Sequence, residues 1–222
     1  MFDRLNLLLD SNKLKDKTVL IVGVGGVGGY VVESLTRSNI GKLILIDFDI
    51  VDISNINRQI IATTENIGKY KVDLFEERCK SINPSIEIIK YKEFLDESNY
   101  QELLNNKVDF IVDACDKIKS KELIIKYALD NNIPFISSMG TGNRLDPSKL
   151  KITTLDKTSN DPLAKMLRKW SKDEHINSKK INVLTSDEVP RKVENSIGSN
   201  AFVPPSAGLL IGSYIVKSLM EE

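Results

Sequence analysis

A glycine-rich turn between two apolar segments constrains the fold of this sequence more than any other feature. Residues 17–22 form a short β-branched run that suits a buried strand, and Gly23 to Gly28 follow it. Apolar residues then recur at helical spacing as far as Ser38. The turn fits the pattern G-x-G-x-x-G in its required place between a strand and a helix, which predicts a nucleotide-binding unit.

Each glycine of the turn has a predicted role. Gly23 allows the tight bend, Gly25 lets a phosphate approach the backbone, and Gly28 lets the helix pack closely on the strand. Gly26 is predicted to line the same phosphate site. Asp47, nineteen residues after Gly28, stands where an acid accepts hydrogen bonds from ribose hydroxyls. The pattern by itself indicates only a nucleotide, so a dinucleotide-dependent oxidoreductase remains an alternative at this point.

Strand-like and helix-like segments alternate as far as residue 140. Further strands are predicted at 42–47, 86–89, 108–113 and 133–137, and helices at 69–82 and 118–131. Strands that alternate with helices pair in parallel through right-handed crossovers. We therefore expect an α/β fold with a doubly wound, Rossmann-like and mostly parallel sheet that binds its ligand at the carboxyl ends of the strands.

The composition changes near Gly140. Residues 144–192 hold twelve Lys or Arg against seven Asp or Glu, whereas the whole chain has 31 of each. Strand-like pieces lie at 150–155 and 181–185, a helix at 161–171, and an apolar helix at 207–220 after the Pro204-Pro205 break. We expect a nucleotide-binding core over 1–140 and a mixed, basic, substrate-binding extension over 141–222, packed together as one domain.

The composition also excludes several classes of protein. A chain of 222 residues with 41% hydrophobic and 28% charged residues is globular rather than disordered, collagen-like or disulfide-stapled. Cys79 and Cys115 are too few for a four-thiolate zinc site and indicate a reducing compartment. The N-terminus has no basic region before an apolar run, and no apolar stretch of about 18 residues follows. The sequence therefore predicts a cytoplasmic protein without membrane contact.

Charged residues after the second and fourth strands separate the alternatives. Arg58 and Lys71, delivered beside the glycine turn, would neutralise a polyphosphate, and Asp116 could hold the Mg²⁺ that bridges phosphate oxygens. A hydride-transfer fold has no need of this set, which suits phosphoryl or nucleotidyl transfer. Three further residues of the same stretch are predicted to help bind the nucleotide: Asp49, Asn55 and Gln59.

Several motifs of the first 140 residues occur together. They are the glycine turn, Asp47-Phe48-Asp49, residues 54–59, Lys71 and residues 113–116. Together they resemble the adenylation core of the ubiquitin-activating-enzyme-like superfamily. The resemblance implies that Asp47 binds the ribose of ATP, that Arg58 and Lys71 contact the triphosphate, and that Asp116 coordinates Mg²⁺. It also implies that Arg4 reaches the ATP of a partner subunit, and hence that the protein is a homodimer.

Two stretches outside the core narrow the resemblance. Residues 157–168 and 202–208 resemble signature segments of the tRNA threonylcarbamoyladenosine dehydratases. That family is similar to the adenylyltransferases that activate the C-terminus of ubiquitin-like sulfur-carrier proteins, which commonly carry paired Cys-x-x-Cys zinc ligands. This sequence has no such pair. Activation of a sulfur carrier is therefore the alternative function.

The dehydratase resemblance implies a reaction without a covalent enzyme intermediate. The substrate carboxylate is adenylated by ATP, and the carbamoyl group of the same side chain then closes a ring and expels AMP. Residues 117–222 contain no cysteine, so thioester transfer is not expected, and Cys79 and Cys115 are interpreted as structural. Some dehydratases carry a C-terminal cysteine for sulfur-relay contacts, and its absence here argues against that partner. A monovalent cation near the C-terminal segment stays an open possibility.

The basic segment has two interpretations. It is either a solvated face or a phosphate-binding strip for tRNA, with Trp170 or Phe202 available to stack on an unpaired base. Lys165, Arg168 and Lys169 lie near one helical face and are the predicted tRNA contacts. His175 lies among polar residues and is expected to be exposed.

Overall fold

The computed structural model describes residues 1–194 and 196–221, which contain a seven-stranded sheet. The strands are β1 (Thr18–Val22), β2 (Lys42–Ile46), β3 (Glu87–Tyr91), β4 (Phe110–Asp113), β5 (Phe135–Ser138), β6 (Leu150–Thr154) and β7 (Asn182–Ser186). Their order in the sheet is β3-β2-β1-β4-β5-β7-β6. Neighbouring strands are parallel except β6 and β7, which are antiparallel, so the predicted doubly wound and mostly parallel sheet is confirmed.

Helices cover both faces of this sheet. They are α1 (Asp3–Asn6), α2 (Gly28–Arg37), α3 (Lys71–Ile82), α4 (Tyr100–Leu104), α5 (Ile118–Asp130), α6 (Pro162–Asp173) and α7 (Val203–Met220). One apolar cluster lies under α2, α3 and α7, and a second lies under α4, α5 and α6. None of the described helices combines the length and apolarity needed to cross a membrane.

The connections leave a crevice at the middle of the sheet. β1 pairs with β2 on one side and with β4 on the other. The sheet is extended outward from β1 in both directions, through β2 to β3 and through β4 to β5, so the strand order reverses at β1. Such a switch point is where an open α/β sheet binds its ligand, because the loops after the two neighbouring strands diverge there. The glycine turn leaves β1 and residues 114–117 leave β4 at this point.

The C-terminal extension continues the sheet of the core. β7 lies between β5 and β6, parallel to the first and antiparallel to the second. The closing helix α7 packs on α2 at two glycines, because a Cβ on Gly208 would overlap the carbonyl oxygen of Val27 and one on Gly212 would overlap the Ser34 hydroxyl. The predicted mixed character of the extension is confirmed.

The start of the last helix differs from the prediction. The Pro204-Pro205 pair indicated a break before a helix at residue 207, yet α7 begins at Val203 and includes both prolines in its first turn. Proline is tolerated there because the first amides of a helix have no intrahelical acceptor to lose. Other bounds shift by up to two residues, and the short helices α1 and α4 were not predicted because neither has a periodic apolar pattern long enough to detect.

A buried ion pair joins three elements beneath the crevice. Lys121 of α5 and Asp113 at the end of β4 are both fully buried, with the ammonium 3.0 and 3.1 Å from the two carboxylate oxygens. The ammonium also donates to the Ser138 carbonyl oxygen at 2.8 Å, and the Ser137 hydroxyl donates to Asp113 at 2.5 Å. The pair therefore ties β4, β5 and α5 together at the ends from which the site loops depart.

Replacing Lys121 with Met is expected to lower the free energy of unfolding by about 3–5 kcal/mol, because it leaves the Asp113 carboxylate buried without its countercharge. Urea unfolding of the purified protein measures this change. The control is Lys119→Met on the exposed face of the same helix, which should leave the unfolding midpoint in place. Equal stability of the two variants would show that the buried pair contributes nothing.

Candidate active site

A cavity of about 300 Å³ opens at the switch point. Its walls come from the glycine turn, the segment after β2, the start of α3 and the loop after β4. The cavity contains nine of the ten residues predicted to bind the nucleotide: Gly23, Gly25, Gly26, Asp47, Asp49, Asn55, Arg58, Gln59 and Lys71, together with the predicted metal ligand Asp116. Gly28, the tenth, lies behind the turn, at the first position of α2.

The glycine turn is shaped by close backbone contacts. Gly23 has a φ of +84°, and a Cβ on it would lie 2.8 Å from the Ala114 carbonyl oxygen of the β4 loop. A Cβ on Gly28 would overlap the Gly23 carbonyl oxygen. Within the described residues the amides of Gly25 and Gly26 donate no hydrogen bond, and they precede the N-terminus of α2. Free amides at a helix N-terminus form a site for a phosphate anion.

Asp47 holds the glycine turn against the end of β2. One of its carboxylate oxygens accepts from the Val24 amide at 2.7 Å and the other accepts from the Asp49 amide at 2.9 Å. Burial raises the pKa of Asp47, while the nearby Lys71 ammonium and the two amide donors lower it. Each oxygen has a second lone pair, so the carboxylate can still accept from ribose hydroxyls at the predicted position.

Lys71 and Arg58 bring two cations to the same cavity. The Lys71 side chain is buried, and its ammonium lies 2.7 Å from an Asp49 carboxylate oxygen. One nitrogen of the Arg58 guanidinium donates to the Ser54 carbonyl oxygen and the Asn57 side chain, at 2.8 and 2.9 Å. Asp49 therefore balances Lys71 inside the cavity, and the local turn orients Arg58.

Asn55 and Gln59 differ in whether their side-chain oxygens are free to bind a ligand. The Asn55 side chain accepts from the Asp52 amide in a capping box that starts the short helix Ile53–Asn55, which is a structural task. Gln59 is buried, and its side-chain oxygen has no hydrogen-bond partner in the described structure. An unpaired buried amide oxygen is costly, so Gln59 has a free acceptor for a bound ligand.

Asp116 suits a metal ion that is shared with phosphates. Its side chain is 87% exposed and its nearest cation is the Lys117 ammonium at 3.8 Å. In the described parts of the chain, no three His, Cys, Asp or Glu side chains form a group that could hold a metal alone. Mg²⁺ is usually bound through one or two carboxylates and substrate phosphates, so the exposed Asp116 carboxylate at the cavity wall fits it.

The aromatic end of the cavity was missed in the sequence. Phe48 and Phe94 both line the cavity, with ring centroids 5.2 Å apart in an edge-to-face arrangement. Phe48 belongs to the motif after β2, but Phe94 follows β3 in a segment with no recognisable pattern. Such residues offer an apolar surface to a nucleobase.

The remaining predicted residues lie outside the nucleotide cavity. Arg4 is exposed on α1. Lys165 and Lys169 are exposed on α6, where their ammonium groups have no ion pair within the described residues. Arg168 is half-buried and one nitrogen of its guanidinium donates to Thr158, which anchors α6 to the preceding loop. His175 is exposed and has a φ of +56° just after α6.

Neither cysteine is poised as a nucleophile. Burial raises the pKa of the Cys79 thiol to about 11. Burial also raises the pKa of the Cys115 thiol well above its usual value, and the thiol lies 3.1 Å from the Asp113 carboxylate. The thiolate is the reactive form of cysteine, so both residues are suited to packing rather than to thioester chemistry.

Comparison with known proteins identifies the family. Residues 6–217 match the sequence profile of the ThiF family. The chain belongs to the ThiF family. It is 39% identical over 227 aligned residues to the tRNA threonylcarbamoyladenosine dehydratase of Bacillus subtilis, an alignment that covers 94% of this chain and 89% of that protein. The resemblance inferred from the motifs is thereby confirmed.

Solved structures agree with this assignment. The crystal structure of E. coli tRNA N6-threonylcarbamoyladenosine dehydratase in complex with ATP superposes with a TM-score of 0.93 at 31% identity, covering 99% of this chain and 93% of that one. By contrast, the Arabidopsis thaliana adenylyltransferase and sulfurtransferase MOCS3 is 38% identical over 132 residues, which cover 60% of this chain and 28% of that protein. The similarity to the dehydratase extends through the C-terminal extension.

Arg58→Ala and Lys71→Ala are each expected to lower the rate of AMP formation on the order of 10²–10³-fold, because each removes a cation aimed at the phosphate site. AMP release in the presence of ATP, Mg²⁺ and substrate tRNA measures the rate. Lys69→Ala is the matched control, since its side chain is exposed and bonds only locally to Asn66 within the described structure. A full rate in either site variant would remove that residue from the mechanism.

Proposed function

We propose that this protein is an ATP-dependent tRNA threonylcarbamoyladenosine dehydratase, which closes the threonylcarbamoyl side chain of a modified adenosine into a ring. The observation that carries the proposal is a nucleotide cavity with free glycine amides, two cations and the exposed carboxylate of Asp116, in a chain whose similarity to such dehydratases runs through nearly its whole length. The product differs from the substrate by the loss of one water.

The first step activates the carboxylate. Carboxylate oxygen is a poor leaving group, so the threonyl carboxylate attacks the α-phosphate of ATP, pyrophosphate departs and an acyl-adenylate forms. Arg58 and Lys71 bind the phosphates and take up the charge that develops on the departing group. Asp116 would hold Mg²⁺, and the ion would supply positive charge that neutralises the phosphates. Asp47 holds the ribose, and Phe48 and Phe94 pack against the adenine.

The second step needs no nucleophile from the protein. The carbamoyl group of the same side chain attacks the activated carbonyl, closes a five-membered ring and releases AMP, which carries away one oxygen of the original carboxylate. Proximity within one side chain makes such a closure fast. This route is consistent with the raised pKa of both thiols, because no thiolate is required.

One experiment separates this function from activation of a sulfur carrier. The protein is incubated with ATP, Mg²⁺ and tRNA that carries threonylcarbamoyladenosine, and the tRNA is digested and analysed by mass spectrometry. We expect the modified nucleoside to lose the mass of one water with stoichiometric release of AMP. A parallel reaction offers a ubiquitin-like carrier protein ending in glycine. Adenylation of the carrier without conversion of the nucleoside would overturn the proposal in favour of the alternative.

We also propose that the protein acts as a homodimer in which Arg4 completes the partner's site. Arg4 is exposed and does not line the cavity of its own chain. Four exposed leucines support a dimer interface: Leu7 and Leu8 are each 85% exposed, Leu209 is 49% exposed and Leu210 is 39% exposed. We propose that these leucines lie in the dimer interface, because protein interfaces bury exposed apolar surface.

Mixing inactive variants tests the shared site. Arg4→Ala and Lys71→Ala are each expected to have low activity alone, and subunit exchange between them should restore about a quarter of the wild-type rate, because half of the dimers gain one complete site. Analytical ultracentrifugation gives the oligomeric state of the mixture. A dimeric mixture with no recovery would show that Arg4 does not act across the interface.

Other parts of the assignment stay proposals. The exposed Lys165 and Lys169 make α6 a candidate strip for tRNA phosphates, whereas the bond from Arg168 to Thr158 gives that residue a structural task as well. A cytoplasmic location follows from a tRNA substrate and reduced cysteines. The monovalent cation near the C-terminal segment remains a prediction.

A further inference from the structure

A second cavity of about 530 Å³ adjoins the nucleotide cavity. It is lined by the last residue of β5, by residues 139–144 after that strand, by the first turn of α6 and by residues of the segment before α7. The two cavities share one wall, whose members are Val27, Arg58, Ala114, Cys115, Asp116, Thr141 and Ser199. The cation and the carboxylate assigned to the phosphates therefore border both spaces.

The loop after β5 contributes free backbone donors to this second cavity. In the described structure the amides of Thr141 and Gly142 donate no hydrogen bond, whereas the Gly140 amide donates to the Asp161 carboxylate at 3.0 Å. Two adjacent free amides suit a carbonyl or carboxylate acceptor on a ligand. Thr141 belongs to the shared wall, and Gly142 follows it in the chain and lines the second cavity.

Apolar side chains line this cavity beside the polar Asn143, Arg144 and Asp161. Met139 is 3% exposed, and Leu163, Pro190 and Ile197 complete this part of the wall. A cavity of several hundred Å³ with apolar walls and a few polar groups is typical of a small-molecule site, and its walls suit a flat nucleobase.

Hydrogen bonds fix the walls in place. The buried Arg144 guanidinium lies 3.2 Å from the Asp161 carboxylate and donates to the Ser186 carbonyl oxygen at 3.0 Å, which joins the loop after β5 to α6 and β7. Asn143 and Gly198 exchange two hydrogen bonds, of 2.6 and 2.8 Å. These hydrogen bonds connect the walls of the cavity to α6, β7 and the segment before α7.

We propose that this second cavity, named here the acceptor cavity, holds the modified adenosine itself. The nucleoside leaves the RNA stack, as bases that undergo enzymatic chemistry do, and its base packs against Leu163, beside the buried Met139. The carbonyl groups of its side chain accept from the Thr141 and Gly142 amides, and the carboxylate reaches the shared wall beside Arg58. The inference rests on the proposed function and adds the place where the acceptor is bound.

The surroundings of the acceptor cavity suit an RNA loop. The first turn of α6 lines the cavity, and the following turns carry the exposed Lys165 and Lys169. Cations placed there can bind the phosphates that flank an extruded nucleotide. A base in the acceptor cavity and its neighbouring phosphates on α6 would belong to one continuous strand.

Methyl NMR tests the proposal directly, because the four methionines of the chain report on different places. Met139 lines the acceptor cavity, Met166 is exposed on α6, and Met1 and Met220 lie near the chain ends. Protein with ¹³C-labelled methionine methyls is titrated, without ATP, with a stem-loop RNA that carries threonylcarbamoyladenosine in its loop. The same RNA with unmodified adenosine is the control.

We expect the Met139 methyl signal to shift with the modified RNA through the ring current of the bound base, and Met1 and Met220 to stay in place. The unmodified RNA should move Met139 less at equal saturation, because it lacks the side chain that the free amides bind. Saturated binding of the modified RNA with Met139 unmoved would overturn the proposal.

A cavity-filling variant gives the second test. Leu163→Trp is expected to lower kcat/KM for the tRNA on the order of 10²-fold while the Kd for ATP stays within about twofold, because misplaced reactants react slowly. Asp173→Trp, exposed in the last turn of the same helix, is the matched control and should keep its rate. Normal turnover by folded Leu163→Trp would contradict the proposal.

The two proposals fail in different ways. If wild-type protein converts the modified tRNA but Met139 does not respond and Leu163→Trp is fully active, the acceptor lies elsewhere and the proposed function stands. If wild-type protein binds ATP but converts no modified tRNA under any of these conditions, the proposed function itself fails.

Discussion

The close approach of the glycine turn to the loop after β4 is the constraint on which the site depends. Gly23 passes so near the Ala114 carbonyl oxygen that a Cβ would lie 2.8 Å from it, and only glycine readily adopts its φ of +84°. This contact brings the free amides of the turn and the carboxylate of Asp116 to opposite sides of one crevice. The amides predicted to bind phosphate and the carboxylate predicted to bind Mg²⁺ therefore lie at one crevice because the loops after two neighbouring parallel strands approach each other closely.

Buried charges support that contact from below. Asp47 binds the glycine turn through the Val24 amide, and Asp113 binds Lys121 beneath the loop that carries Asp116. Both carboxylates are shielded from water, so their partners must be placed well for the fold to tolerate them. The same arrangement limits motion at the ends of β1, β2 and β4. A fixed site of this kind suits chemistry in which positioning and charge stabilisation do most of the catalytic task.

The sequence predicts the sheet and the cavity at its switch point better than it predicts the acceptor cavity. Buried parallel strands read as continuous apolar runs and the glycine turn has a fixed pattern, so the sheet and most residues that line the cavity at its switch point could be predicted from local sequence. The acceptor cavity could not, because it joins a loop after β5, the start of α6, and Pro190, Ile197 and Ser199, which are distant in sequence. Lys121 did leave a signal, since a lysine in the apolar stripe of a helix needs a buried partner, but the sequence does not say which. The predicted start of α7 is wrong because proline interrupts a helix interior but is accepted in the first turn of a helix.

The proposed mechanism requires that the substrate carboxylate attack the α-phosphate of ATP. Threonylcarbamoyladenosine labelled with ¹⁸O in its carboxylate, presented in tRNA, answers this in one turnover with ATP and Mg²⁺. If the carboxylate attacks the α-phosphate and is expelled on ring closure, mass spectrometry will find one labelled oxygen in AMP for each ring that forms. Label in inorganic phosphate or pyrophosphate, or its absence from AMP while the ring forms, would contradict activation by adenylation.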